Sequence, residues 1–225
     1  MIDTVFTILQ RYGDLYIIGL QASLYMIFVS TFFAYIFGLP LGILLIVTEP
    51  GSFVPRPVFH SVLGAVINIG RSIPFIILIV ALIPFTRAIM GTSLGPGATV
   101  VPLVVGATPF VARLVEASLK ELDPGVIEAA ESMGASLPKL VFGVMLPEAL
   151  PSLIRGVALT AITLVGYSAM AGAVGGGGLG DIAIRFGYYR YQTDVMLITI
   201  VMLVVLVQII QAFGNLLARV VDKSK

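Results

Sequence analysis

The chain has no cysteine, one histidine and little charge: of 225 residues, 13 are Lys or Arg and 12 are Asp or Glu. Each shortage closes off a class of chemistry. Without cysteine there is no disulfide and no thiolate nucleophile, and the redox compartment is left undecided. With His60 as the only histidine, and that one next to a membrane surface, a Ser/His/acid set has no base to work with. Neither an H-E-x-x-H stretch nor a cysteine cluster offers a metal site. A formal net charge of +1 with no Lys/Arg run argues against nucleic acid as a partner. There is no P-loop lysine motif, so the chain is not expected to bind ATP in the standard way. The N-terminus lacks a basic region and a small-residue cleavage site, which predicts no removable signal peptide. No segment repeats at a fixed period.

What is abundant is apolar surface. Hydrophobic residues make up 58% of the chain against 11% charged, and the mean hydropathy is +1.07. A soluble domain would need more charge to cover its exterior. Several apolar runs reach the length of about 20 helical residues that crosses a bilayer. The expected fold class is therefore an all-α membrane protein with five transmembrane helices, over about 15–47, 73–90, 98–119, 153–174 and 195–217, in a single transmembrane domain, 1–225.

Before the first span, Val5, Ile8, Leu9 and Tyr12 at helical spacing predict a short interfacial helix ending near Gly13-Asp14. Pro40, between Gly38 and Gly42, predicts a kink in the first span. A charge at mid-bilayer costs about 2.5–3.5 kcal/mol, so Arg71 marks an interface, either as an anchor or as a partner contact. An elbow helix is expected before it and the second span after it. The third span should bend at Pro102 or Pro109. Small and hydroxylated residues such as Gly156, Thr160, Gly166, Ser168 and Gly172 suit a fourth helix inside the bundle. The bulky fifth span should face lipid, apart from a stripe of Gln208, Gln211 and Asn215.

One hydrophilic stretch interrupts this pattern, residues 121–147, ELDPGVIEAAESMGASLPKLVFGVMLP. Asp123-Pro124 is a helix start, an N-cap acceptor followed by the residue whose missing N–H costs nothing there. Gly134 suits a left-handed terminus. Ser136 and Pro138 open a second short helix, expected to stop near Pro147. Val126, Ala130 and Met133 share one face of the first helix, with Glu128 and Glu131 elsewhere, a small apolar surface suited to a groove on another protein. If this loop is cytoplasmic, that side carries Arg56, Arg71, Arg113, Lys120, Lys139, Arg155, Arg219, Lys223 and Lys225, against Arg11, Arg87, Arg185 and Arg190 on the other. The positive-inside bias then sets the C-terminus inside and the N-terminus outside.

Three further stretches could carry function. Gly175, Gly177 and Gly180 match G-x-G-x-x-G, but they follow a membrane helix and not a strand, so a sharp turn or a close approach is the better reading. Tyr188-Tyr189-Arg190-Tyr191-Gln192 reads as an interfacial aromatic belt or a landing site for an extracytoplasmic partner. Tyr167, Ser168 and Met170 either fill an irregular gap between helices or line a path for a small amphipathic solute.

Glu128-Ala129-Ala130, Gly134, Val144 and Leu146-Pro147 stand in the register of the EAA signature, with Val144 where isoleucine is usual. On these residues the chain resembles the permease subunits of ATP-binding-cassette importers of type I. Arg71–Leu78, Ile83–Arg87 and Gly166–Gly175 extend the resemblance to methionine importer permeases. It implies a homodimer in a bacterial cytoplasmic membrane, two cytoplasmic ATPase subunits that hold ATP and Mg, an extracytoplasmic substrate-binding protein, and no cofactor or catalytic residue in this chain. The implied ATPase-coupling residues are Val126, Glu128, Ala129, Ala130, Met133, Gly134, Leu146 and Pro147; those of the translocation gate are Tyr167, Ser168 and Met170. D- or L-methionine is the implied cargo, with another small amino acid or polar solute as the alternative. From other classes, an ATPase-independent gated channel, an intramembrane enzyme and a partner-recruiting scaffold are the rivals. The enzyme would need paired carboxylates or a metal set within a span, and the sequence offers neither.

Overall fold

A computed structural model describes the backbone of residues 2–222 and the side chains of Tyr12 to Asp222. Val5, Ile8, Leu9 and Arg11, as side chains, and Lys223 and Lys225 therefore lie outside the described residues. All regular structure among the described residues is helical: α1 (Ile2–Thr48), α2 (Pro57–Ser72), α3 (Phe75–Ala81), α4 (Ile83–Met90), α5 (Pro96–Lys120), α6 (Pro124–Ser132), α7 (Leu137–Leu140), α8 (Leu146–Glu148), α9 (Leu150–Gly172), α10 (Gly178–Ile182) and α11 (Thr193–Val221). Wide π turns follow α7 at Val141–Met145 and α10 at Ala183–Tyr188. Four helices are long and apolar enough to cross a membrane, Tyr12–Thr48, Pro96–Lys120, Leu150–Gly172 and Thr193–Val221. Taking the broken pair Pro57–Ser72 and Phe75–Ala81 as one span makes up to five.

Three expectations change. The interfacial helix and the first span are one uninterrupted helix. A lone Gly13 costs only about 1 kcal/mol relative to alanine, too little to end a helix that is apolar on both sides. The second span is two short helices that meet at Leu82 (φ −85°, ψ 0°), because Pro84 in the first turn of α4 has no N–H to continue α3. The second loop helix does not stop near Pro147. The π turn over Val141–Met145 shifts the hydrogen-bond register, so Pro147 falls in the first turn of α8 and the chain runs on into α9. At Pro40 the helix continues, and α5 passes Pro102 and Pro109 unbroken.

Packing divides the described chain into two compact units, and α1, α5, α9 and α11 contribute a segment to each. The first unit lies within Met1–Phe33, Ile73–Ala107 and Ala161–Gln211. Its core gathers Tyr16, Leu179, Ile182 and Val195, and the buried Ser23 hydroxyl accepts from the Leu179 N–H at 2.9 Å. Gly172 and Gly180 let α9 and α10 touch backbone to backbone, since a Cβ on either would fall on main-chain atoms of the other. The second unit lies within Ala34–Ser72, Thr108–Thr160 and Ala212–Lys225. There Gly38 and Gly42 of α1 bring that helix against Val111 and Val115 of α5; a Cβ would sit 2.7 and 2.6 Å from them. Leu45, Ile67 and Ala112 close the core beside them. Arg56, Arg71, Arg113, Lys120, Lys139, Arg155 and Arg219 belong to the second unit and Arg87, Arg185 and Arg190 to the first.

Candidate functional site: the capped loop helix and the path residues

Helix α6 is fixed at both ends by local chemistry. Asp123 is extended and its carboxylate accepts the Gly125 N–H at 2.8 Å, with Pro124 next in the first turn. At the other end Gly134 is left-handed (φ +74°) and donates to the Glu131 carbonyl at 2.8 Å, while Ala135 donates to Ala130 at 3.1 Å. This bond pair is a Schellman closure, which satisfies carbonyls that would otherwise face solvent unpaired. Ser136 then starts α7 in an extended conformation, its carbonyl accepting from the Leu140 N–H.

The three residues expected on one docking face of α6 separate. Ala130 is buried, α6 packing on α7 and the π turn, whereas Val126 is partly open and Met133 is 81% exposed. Glu128, Ala129 and Gly134 are exposed. The outward group is therefore Val126, Glu128, Ala129 and Met133, with Ala130 as the foot. Leu146 is half-buried and Pro147 exposed. Pro147 borders a cavity of about 520 Å³ with Glu121, Asp123, Ser152, Arg155 and Asp222. A second groove, about 360 Å³, runs between Ile127, Glu128 and Glu131 of α6 and the opposing Glu49, Phe53 and Lys120.

Beside that groove lies a set of contacts the sequence reading did not assemble. Arg113 bonds Glu116 Oε2 at 2.6 Å, the Gly64 carbonyl at 3.0 Å and Asn68 Oδ1 at 2.9 Å. Glu116 Oε1 meets Lys120 Nζ at 3.1 Å, and Lys120 reaches Glu49 Oε1 at 2.8 Å. Helical spacing of 113, 116 and 120 signals the α5 part; nothing local signals Glu49, Gly64 or Asn68.

Of the path residues, Tyr167 stacks on Phe75, rings 4.4 Å apart and nearly parallel. Ser168 is buried and donates to the Val165 carbonyl at 2.9 Å, while Met170 is exposed. The three thus point to different surroundings. Tyr188, Tyr189 and Tyr191 are exposed, and Arg190 stands over the Phe186 ring. His60 sits 3.0 Å from the Leu45 carbonyl, a polar tie between α2 and α1. The glycine run is a turn: Gly175, Gly177 and Gly178 have positive φ, and the Gly175 carbonyl accepts from Gly95. Among the described residues no three His, Cys, Asp or Glu side chains converge as a metal set.

Residues 38–224 match the family model described as binding-protein-dependent transport system inner membrane component. The chain belongs to that family. It is 50% identical over 210 residues, 93% of each chain, to the probable D-methionine transport system permease protein MetI of Vibrio cholerae. It is 48% identical over 180 residues, 80% of this chain and 81% of the relative, to the methionine import system permease protein MetP of Bacillus subtilis. Among solved structures, a chain of the MetNI methionine ABC transporter in an inward-facing conformation matches with a TM-score of 0.93 at 50% identity, covering 95% of this chain and 99% of that one. An amino acid ABC transporter solved with histidines matches at 0.77 and 21% identity, 95% of this chain and 97% of that one, a likeness of fold alone. As a member of this family the chain is an inner-membrane permease subunit of an ABC transport system, an all-α membrane protein.

Proposed function

We propose that this chain is the permease subunit of an ATP-driven methionine importer, and that α6 is the helix through which a separate ATPase drives it. The observation that carries the coupling role is α6 itself, a short helix closed by an N-cap and a Schellman turn that turns Glu128, Ala129 and Met133 outward. A helix locked at both ends moves as a body, as transmission of a docking force requires. For the cargo, the support is the name shared by relatives near 50% identity over most of the chain. The working assembly is a homodimer with two cytoplasmic ATPases, which hold ATP and Mg, and an extracytoplasmic substrate-binding protein. The loop and C-terminus are cytoplasmic and the N-terminus outside.

In this reading nucleotide draws the ATPases together, each carrying a docked α6, and the permeases rock from inward-open to outward-open. Hydrolysis and release reverse the motion. Such alternation requires ATP to bind the two states with different affinity. The chain supplies lever and path, and makes or breaks no covalent bond. Tyr167 and Met170 border the path, with the buried Ser168 setting the shape of its wall. Leu146 and Pro147 end the loop and pass its motion to α9.

The experiment is ATP-dependent uptake by the complex, reconstituted with its ATPase and binding protein, of labelled D- and L-methionine against a panel of other amino acids. Uptake of methionine that stops without ATP is expected. Passive flux, or a panel in which methionine is not transported, would overturn the proposal.

A further inference from the structure

Within the second unit one line of charge joins three helices. It runs from Asn68 and the Gly64 carbonyl on α2, through Arg113, Glu116 and Lys120 on α5, to Glu49 just past the end of α1. Glu116 is its centre, 7% exposed, with one carboxylate oxygen on Arg113 and the other on Lys120. We propose that Arg113, Glu116, Lys120 and Glu49 form a positioning linkage that carries a displacement of α6 into α2 and the end of α1, and thereby sets how much transport accompanies each ATP hydrolysed. The inference rests on the reading of α6 as the ATPase-docking helix.

Three features support it. Lys120 is the last residue of α5, and only Glu121, Leu122 and Asp123 separate it from α6, at most about 14 Å of extended chain from Lys120 to Pro124. That connection is itself held, since Ser152 Oγ bonds both Glu121 Oε2 and Ser118 Oγ and Asp123 is engaged as the cap. A shift of α6 therefore reaches Lys120 with little slack. The second feature is the fork at Arg113, which takes one acceptor on its own helix and two on α2, a geometry that a lysine could not reproduce. Gly64 gives it room: a Cβ there would stand 3.4 Å from Nη2. Thirdly, Glu116 is buried, so water screens its attraction to Arg113 and Lys120 only weakly, and the α5 part of the line resists being pulled apart while its helices can still move together. Glycine–valine packing also holds α1 to α5, at Val111 and Val115, ahead of the α5–α6 junction in the chain.

The test uses the full complex in liposomes, measuring substrate imported per ATP hydrolysed. Glu49→Gln, at the open end of the line, should lower that ratio severalfold, with ATPase binding and the thermal midpoint near those of the parent; Lys120→Met should lower it as well, at a reduced thermal midpoint, because it leaves the buried Glu116 half-compensated. Lys120→Arg, which keeps the charge and the donors, should restore it. A parent complex that couples normally, with Glu49→Gln and Lys120→Met matching its ratio, would overturn the linkage and leave the role of α6 intact. A parent whose ATPase does not respond to substrate would instead sink the reading of α6 itself. Should Lys120→Met fail to assemble, Glu49→Gln, at a partly exposed position, decides the matter.

Discussion

Gly134 holds φ at +74°, where any residue with a Cβ is strained by roughly 1–2 kcal/mol. No heavy atom lies near enough to obstruct a side chain there, so the penalty is all backbone. Gly134→Val should loosen the end of α6 and cut ATP-driven uptake, while membrane insertion and overall folding are retained; uptake and the solubilised yield measure the two separately. Arg113 is a different case, since its removal leaves Glu116 buried with half its compensation. Breaking a buried ion pair on one side costs about 3–5 kcal/mol. Arg113→Ala should therefore lower the thermal midpoint of the detergent-solubilised protein far more than Lys139→Ala, whose side chain is exposed and makes no ion pair among the described residues.

Helices α9 and α11 illustrate two ways of occupying a membrane. In α9 small residues are buried at Gly156, Ala158, Ala161, Ala171 and Gly172, and 44% of its most apolar stretch is covered. In α11 the figure is 17%, with Ile200, Val204, Ile209 and Phe213 open. Small side chains let backbones meet, and where they do no rearrangement of a flexible tip can make space. Gly180→Val should destabilise by at least the 1–3 kcal/mol (roughly) typical of overpacking, read as a lower thermal midpoint and a lower yield of folded protein. Ile209→Ala should change stability by less than about 0.5 kcal/mol by the same measurement, because lipid in place of protein fills the gap.

At the scale of the molecule, the absence of cysteine becomes an experimental convenience: any cysteine introduced is the sole thiol. Glu131→Cys should react with a membrane-impermeant maleimide only in inside-out vesicles, and Tyr189→Cys only in intact cells or spheroplasts. The reverse pattern would invert the proposed topology. Sequence reading reached the features whose causes are local. Apolar run length reached the four long helices α1, α5, α9 and α11, Asp123-Pro124 and Gly134 marked both ends of α6, and the bulk of α11 signalled its open face. It missed what depends on partners far along the chain: Glu49 on Lys120, Asn68 on Arg113, Ser23 on Leu179. It assigned Ala130 outward because helical spacing groups residues by face without saying which face a neighbour covers. It stopped the second loop helix near Pro147 because a proline in isolation reads as an end, and only a preceding wide turn lets the helix absorb it.

That wide turn has a mechanical corollary. From Leu137 to the start of α9 the backbone stays coiled, with Ala149 still right-handed at φ −75°. If α6 is the docked helix proposed above, the loop would act as a crank whose swivel is the Gly134–Ser136 elbow, since the Asp123 end is held by its cap. On that proposal, torque applied to α6 would find no break in the coiled backbone between Leu137 and α9, so the shaft that continues into α9 would either turn or stall.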